Sequence, residues 1–112
     1  MLQQITAPEL RAWLDDPARP KPLLLDVREP WEFDVCRIPG AQPMTMRSIP
    51  ARFVELQSEN GREREIVVIC HHGARSYQVA MFLAHQGFSN LYNLYGGIAA
   101  WAQQVDPAMP TY

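Results

Sequence analysis

The sequence predicts an α/β domain, a parallel sheet covered by helices on both faces. Two apolar runs, PLLLDV (Pro22–Val27) and IVVI (Ile66–Ile69), lack the alternation of a sheet with one wet face, as strands buried on both sides do. Strand patterns alternate along the chain with helical ones. Glycine, proline and Asx residues separate them, so the ten prolines read as loop punctuation rather than a low-complexity tract.

The 112 residues suffice for one compact domain. A content of 47% hydrophobic and 20% charged residues is that of a globular chain. There is no internal repeat and no dividing linker, so one domain is expected over 1–112, with its core at about 5–104 and a short C-terminal tail. The formal charge of −2 and the lack of a basic cluster argue against nucleic acid or an anionic membrane as partner. The start, MLQQITAPELRAWLDDP, lacks the pattern of a signal peptide, and no apolar run is long enough to span a bilayer. Only Cys36 and Cys70 are present, which implies neither a disulfide framework nor a metal site. A reducing, cytoplasmic setting is the expectation.

Taken in order, Thr6, Pro8 and Glu9 form a helix-start signal with a capping box, and a helix Pro8–Leu14 would bury Leu10, Trp13 and Leu14. Pro22–Val27 follows as a strand, Glu29–Phe33 as one helical turn, Pro39-Gly40 as a turn and Gln42–Thr45 as a brief strand. Ser48 is placed to cap a helix Ile49–Ser58, and Asn60-Gly61 breaks the chain. Glu65–Ile69 is a strand, Ser76–Gln86 a helix stopped by Gly87, Leu91–Leu94 a strand and Ile98–Gln104 a last helix after Gly96-Gly97.

In such sheets ligands bind beyond the carboxyl ends of the strands, and Cys70 lies at one. Gly73 permits a tight turn or a positive φ. The next helix would point its free N–H groups and positive dipole end at the loop, a ready anion site. A sulfur in that nest is stabilised as thiolate and made nucleophilic at neutral pH. Arg75 adds a fork suited to a pair of oxyanion oxygens, and Ser76 can cap the helix and donate its hydroxyl. The competing reading has Cys70 as a small core residue, Arg75 as a surface charge and Gly73 as a plain turn glycine. The joint order of strand, Cys, Gly, Arg and helix favours the nucleophile. His71 and His72 either tune the loop or are exposed residues whose backbone alone matters.

Three segments, LLLDVREPWEF with RIPGA (Leu23–Ala41), IVVICHHGARS (Ile66–Ser76) and LYNLYGGIAAW (Leu91–Trp101), resemble the rhodanese-like family of sulfurtransferases in its single-domain form. The resemblance implies a five-stranded parallel sheet flanked by helices. It implies that Cys70 takes a sulfane sulfur from a donor such as thiosulfate as a persulfide and passes it to cyanide or a thiol, with no metal or organic cofactor. His71, His72, Gly73, Ala74, Arg75 and Ser76 would form the substrate cradle, Arg75 holding the donor anion. Asp26, Arg28 and Glu32 form a supporting set. Arg28 and Glu32, one helical turn apart, could pair, and the set either braces the cysteine loop or, through Arg28, touches substrate. The partners implied are a small-molecule sulfur donor and acceptor, or a protein thiol, with the chain a monomer or weak homodimer.

Two departures from the family pattern stand out. Cys36-Arg37 replaces a usual Gly-His pair, so Arg37 is a candidate for the histidine's polar role, and Cys36 is either inert or able to resolve the persulfide as a disulfide. His71 and His72 stand where efficient thiosulfate users carry more basic residues. Two other functions compete: a Cys-dependent phosphatase or arsenate reductase, whose loop in related enzymes is one residue longer than the four from His71 to Ala74, and a persulfide carrier or regulatory binding module.

Overall fold

The computed structural model describes residues 2–59 and 61–112, so Asn60 of the expected Asn-Gly break lies outside the described residues. Five strands form one parallel sheet: β1 (Leu2–Ile5), β2 (Leu23–Asp26), β3 (Gln42–Pro43), β4 (Glu65–Ile69) and β5 (Asn90–Leu94), in the order β1-β5-β4-β2-β3. The helices are α1 (Ala7–Asp15), α2 (Pro30–Val35), α3 (Ile49–Arg52), α4 (Ala74–His85) and α5 (Gly97–Gln104). Among the described residues no helix is long and apolar enough to cross a membrane.

The period of two along the buried strands divides the core into two clusters. Leu24, Val67, Ile69 and Leu94 pack with Leu10 and Trp13 of α1 and Ile98 and Trp101 of α5. Leu23, Leu25, Ile66, Val68 and Leu91 pack with Ile49 of α3 and Val79, Ala80 and Leu83 of α4. Both faces are covered, so β2 carries no alternation, and all four of its residues are buried.

The expected capping box forms: Glu9 N–H donates to Thr6 Oγ1 at 3.3 Å, and Thr6 N–H to Glu9 Oε1 at 2.9 Å. Three elements differ from expectation. β1 carries no strand signal in the sequence, because its centre is Gln3-Gln4, exposed on the edge of the sheet. The helix expected at Ile49–Ser58 breaks into 3₁₀ turns at Met46–Ser48 and Phe53–Leu56 around a four-residue α3. Ser48 closes the first of these turns rather than capping α3, its hydroxyl donating to Thr45 O at 2.8 Å. The expected helix at Ser76–Gln86 begins two residues earlier, at Ala74, because Gly73 takes the N-cap position at φ 105°.

The connections set the site. From β2 the chain continues outward to β3, and from the adjacent β4 it continues the other way to β5. The carboxyl ends of β2 and β4 therefore flank the crevice where strand order reverses, the usual ligand position in open parallel sheets. Cys70 follows β4 there and Arg28 follows β2.

A second constraint comes from α5. Its amides at Ile98 and Ala99 donate to Cys70 O at 2.9 Å and His71 O at 3.0 Å. This approach needs Gly97, where a Cβ would lie 2.5 Å from Cys70 O and 2.4 Å from His71 O. Gly97→Ala is expected to destabilise the fold by about 1–3 kcal/mol through overpacking at a positive φ, measured by the midpoint of chemical denaturation.

Candidate active site

Cys70 leaves β4 with its residue 1% exposed, yet its sulfur is not walled by hydrocarbon alone. Gly73 N–H donates to Sγ at 3.0 Å, and the Ser76 hydroxyl lies 3.2 Å from Sγ. The first-turn amides of α4, from Ala74 to Ser76, have no acceptor within the helix, and the positive end of the α4 dipole lies at this loop. The sulfur thus lies at the helix mouth as expected, with the helix starting two residues nearer to it.

Ser76 sits inside the first turn of α4 instead of capping it, fully buried. Its hydroxyl also contacts Asn93 Oδ1. One hydroxyl proton serves one acceptor at a time. A Cys70 thiol can donate to Ser76 Oγ while the hydroxyl turns to Asn93, and a thiolate can accept the same hydroxyl. Asn93 is oriented for this by its own Nδ2, which donates to Gln4 Oε1 at 2.9 Å and Gly73 O at 3.2 Å. Sequence reasoning missed Asn93 and Gln4. A buried polar residue inside the apolar strand NLYNL was the available signal for the first; nothing signalled the second.

The supporting triad is connected differently from the expected Arg28–Glu32 pair. Arg28 is buried and lies on Asp26, with Nη2 2.7 Å from Oδ2 and Nε 2.9 Å from Oδ1. Its remaining donors reach Cys36 O at 2.7 Å, Glu32 O at 3.2 Å and the Tyr112 hydroxyl at 3.0 Å. Asp26 takes the guanidinium because both residues leave the end of β2 two positions apart, and a rigid fork fits a carboxylate at that distance. The Glu32 carboxylate instead meets Arg75, at 2.7 Å and 2.9 Å in a bidentate pair. Arg75 thus points to Glu32, which joins α2 to the cysteine loop.

Tyr112 completes the network. Its hydroxyl accepts from Arg28 and donates to Glu32 Oε2 at 2.8 Å. Its ring stacks on His71 at 4.1 Å between centroids, and His71 stacks on His72 at 4.0 Å. Nothing in the composition or periodicity of residues 105–112 signalled this contact. Ala74 and His72 are exposed. Arg37 lies at the surface, its Nη1 donating to Phe33 O at 3.1 Å. Cys36 is a free, buried thiol in the core cluster on the other face of the sheet from that of Cys70.

The charges follow from these contacts. The Arg75 hydrogen bonds outweigh burial and hold Glu32 down at about 2, and Glu32 in turn raises Arg75 above the usual range. Burial and the neighbouring His72 push His71 below its usual range. Burial, reinforced by Glu32, lifts the Tyr112 phenol to about 12 despite the opposing pull of Arg28. Among the described residues no group of three or more His, Cys, Asp or Glu is placed to hold a metal ion.

A cysteine sulfur that accepts a loop amide at the start of a helix, at the switch point of a parallel sheet, defines the class: α/β domains with a cysteine loop at the carboxyl end of the sheet. Within it, the family model described as the rhodanese-like domain matches residues 6–104, and the chain belongs to that family. A sulfurtransferase from Allochromatium vinosum is 42% identical over 72% of this chain and 72% of its own length. A thiosulfate sulfurtransferase from Actinobacillus succinogenes is 34% identical over 91% of the chain and 87% of its own length. A chloroplastic rhodanese-like/PpiC domain-containing protein of Arabidopsis thaliana is 37% identical over 99% of the chain, which spans only 38% of that protein. Among solved structures, a rhodanese-like domain protein from Staphylococcus aureus superposes with a TM-score of 0.77 at 27% identity, over 88% of this chain and 90% of its own. Five parallel strands flanked by helices are the architecture expected, and the relatives place the chain in a sulfurtransferase family.

The Glu32–Arg75 pair makes stability acid-sensitive. Folding lowers the Glu32 pKa from its ordinary 4.5 to about 2, so its contribution is complete above pH about 4.5 and is lost as pH falls toward 2. Thermal unfolding followed across that range should show the loss, and Glu32→Gln should flatten it.

Proposed function

We propose that the chain is a sulfurtransferase that accepts a sulfane sulfur on Cys70 as a persulfide and hands it to a thiophilic acceptor, cyanide or a thiol. The observation that carries this reading is the pair of contacts to Cys70 Sγ, from the Gly73 amide at 3.0 Å and the Ser76 hydroxyl at 3.2 Å, at the mouth of α4. Donors fixed around a sulfur stabilise it as an anion, first as thiolate and then as persulfide. The thiolate attacks the outer sulfur of the donor, a new S–S bond forms at Cys70, and the donor's remainder leaves with the electron pair. A thiol acceptor reverses the geometry, attacking the outer sulfur of the persulfide and releasing Cys70 as thiolate.

The substrate cradle in this reading is residues 71–76, with backbone amides and the Ser76 hydroxyl as the principal donors. Asp26, Arg28 and Glu32 hold its outer wall. Neither a metal nor an organic cofactor takes part in this chemistry. The partners are a sulfur donor and an acceptor, small molecules or a protein thiol. Two free cysteines suit a reducing compartment such as the cytoplasm.

A second reading is favoured by one observation. With the residue 1% exposed, a donor reaches Cys70 only when the loop side chains part, which suits a persulfide carrier of low intrinsic turnover. Phosphatase chemistry has less support, since four residues separate Cys70 from Arg75 and the guanidinium is engaged by Glu32.

Incubation with thiosulfate or a thiol persulfide, followed by intact mass spectrometry, tests the reading. The wild type is expected to gain the mass of one sulfur atom and Cys70→Ser none; Ser76→Ala should slow the gain by roughly tenfold, the loss of one hydrogen bond to a charged group. No gain with any donor, or Cys70-dependent hydrolysis of an aryl phosphate, would overturn it.

A further inference from the structure

The charges around the cysteine loop bear on which donor it accepts. Arg75, the guanidinium nearest the role of anion holder, is occupied by Glu32 through two hydrogen bonds of 2.7 and 2.9 Å. That carboxylate is anchored from two further sides. The Glu29 amide donates to Oε1 at 2.9 Å, and the Tyr112 hydroxyl donates to Oε2 at 2.8 Å. Tyr112 is itself fixed by Arg28 and by its stack on His71. Glu32 is 3% exposed. The site's other guanidinium, Arg28, lies on Asp26.

A dianionic donor therefore meets no free guanidinium at the loop among the described residues. To recruit Arg75 it must draw it off Glu32, leaving a buried carboxylate partly uncompensated beside the incoming negative charge, a costly arrangement. A donor without net charge faces no such barrier. On the flank of the loop, next to Gly73, lies a cleft of about 590 Å³ lined by Gln4, Tyr77, Asn93 and Tyr95, with His72 as its one titratable imidazole and no carboxylate or guanidinium. That volume lies in the range of small-molecule sites, and its amides and phenols match a polar, uncharged molecule.

We propose that Glu32 is a specificity-determining residue: by occupying Arg75 it disfavours free dianionic donors and directs Cys70 to sulfane sulfur carried on a small uncharged thiol, whose body lies in the cleft beside Gly73. This rests on the sulfurtransferase reading above. In the favoured step the Cys70 thiolate attacks the terminal sulfur of RS–SH. The Cys70 S–S bond forms, the RS–S bond breaks, its electron pair leaves with RS⁻, and the proton stays on the transferred sulfur. With thiosulfate the same step would expel sulfite, a dianion, beside Glu32.

The test compares second-order rate constants for persulfidation of Cys70, read by quenched-flow mass spectrometry, with two donors: thiosulfate and the persulfide of N-acetylcysteine methyl ester. In the wild type the persulfide, with its rate constant referred to the protonated RS–SH form that takes part in the step, is expected to react at least about a hundredfold faster. Glu32→Gln should raise the thiosulfate-to-persulfide ratio by about tenfold, because removing a negative charge helps a dianion and scarcely affects a neutral molecule. That gain should shrink as ionic strength rises, a dependence that mere loosening of the fold would not produce. Thiosulfate reacting as fast as the persulfide in the wild type, or a ratio unmoved in a folded Glu32→Gln protein, overturns the proposal while leaving sulfur transfer standing. If neither donor adds sulfur to the wild type, the sulfurtransferase reading fails and this proposal falls with it. Should Glu32→Gln not fold, the wild-type ratio alone decides.

Discussion

The contact on which the site depends is made by the last helix with the carbonyls of the cysteine loop. Ile98 and Ala99 amides take Cys70 O and His71 O. Once those carbonyls are turned toward α5, the peptide planes behind them are fixed, and the loop can present Gly73 N–H to the sulfur at 3.0 Å. The first turn of α4 adds the Ser76 hydroxyl at 3.2 Å from the sulfur. Gly97 is what lets α5 come so near. The cradle is thus held from both its neighbours, by β4 through the chain and by α5 through hydrogen bonds.

The rest of the site is a chain of paired charges that ties α2 to the loop. Asp26 neutralises Arg28 and Glu32 neutralises Arg75, while Tyr112 bridges the two pairs through one hydroxyl. The Asp26–Arg28 pair is buried on both sides, and breaking a pair of that kind by removing one partner typically costs about 3–5 kcal/mol, because the other is left charged and dry. The arrangement makes the wall of the site rigid and close to neutral. The two groups that contact the sulfur, the Gly73 amide and the Ser76 hydroxyl, are both uncharged.

Much of this was legible in the sequence because it rests on local physics. Thr6 and Glu9 announce a helix start, the unalternating runs at Leu23 and Ile66 announce strands covered on both faces, and Cys70 before Gly73 places a thiol at a helix mouth. What could not be read depends on contacts between distant segments. β1 is an edge strand whose polar centre, Gln3-Gln4, looks like a loop, yet Gln4 orients Asn93 beneath the cysteine loop. Arg28 and Glu32 have helical spacing, but their charges go to Asp26 and Arg75, because partners at the end of β2 and on the cysteine loop lie better placed. Tyr112, 80 residues from Glu32, is joined to it only by the folded chain.

The aromatic contacts of Tyr112 have an optical consequence. Trp31 stands edge-on to that phenol at 5.3 Å and is 59% exposed, whereas Trp13 and Trp101 are sealed in the interior. The rings of His72, His71, Tyr112 and Trp31 thus run in contact from the cysteine loop to the solvent. A shift of the loop that displaces His71 reaches the exposed Trp31 through Tyr112. The molecule thus carries its own fluorophore for following movement of the cysteine loop, with no label attached.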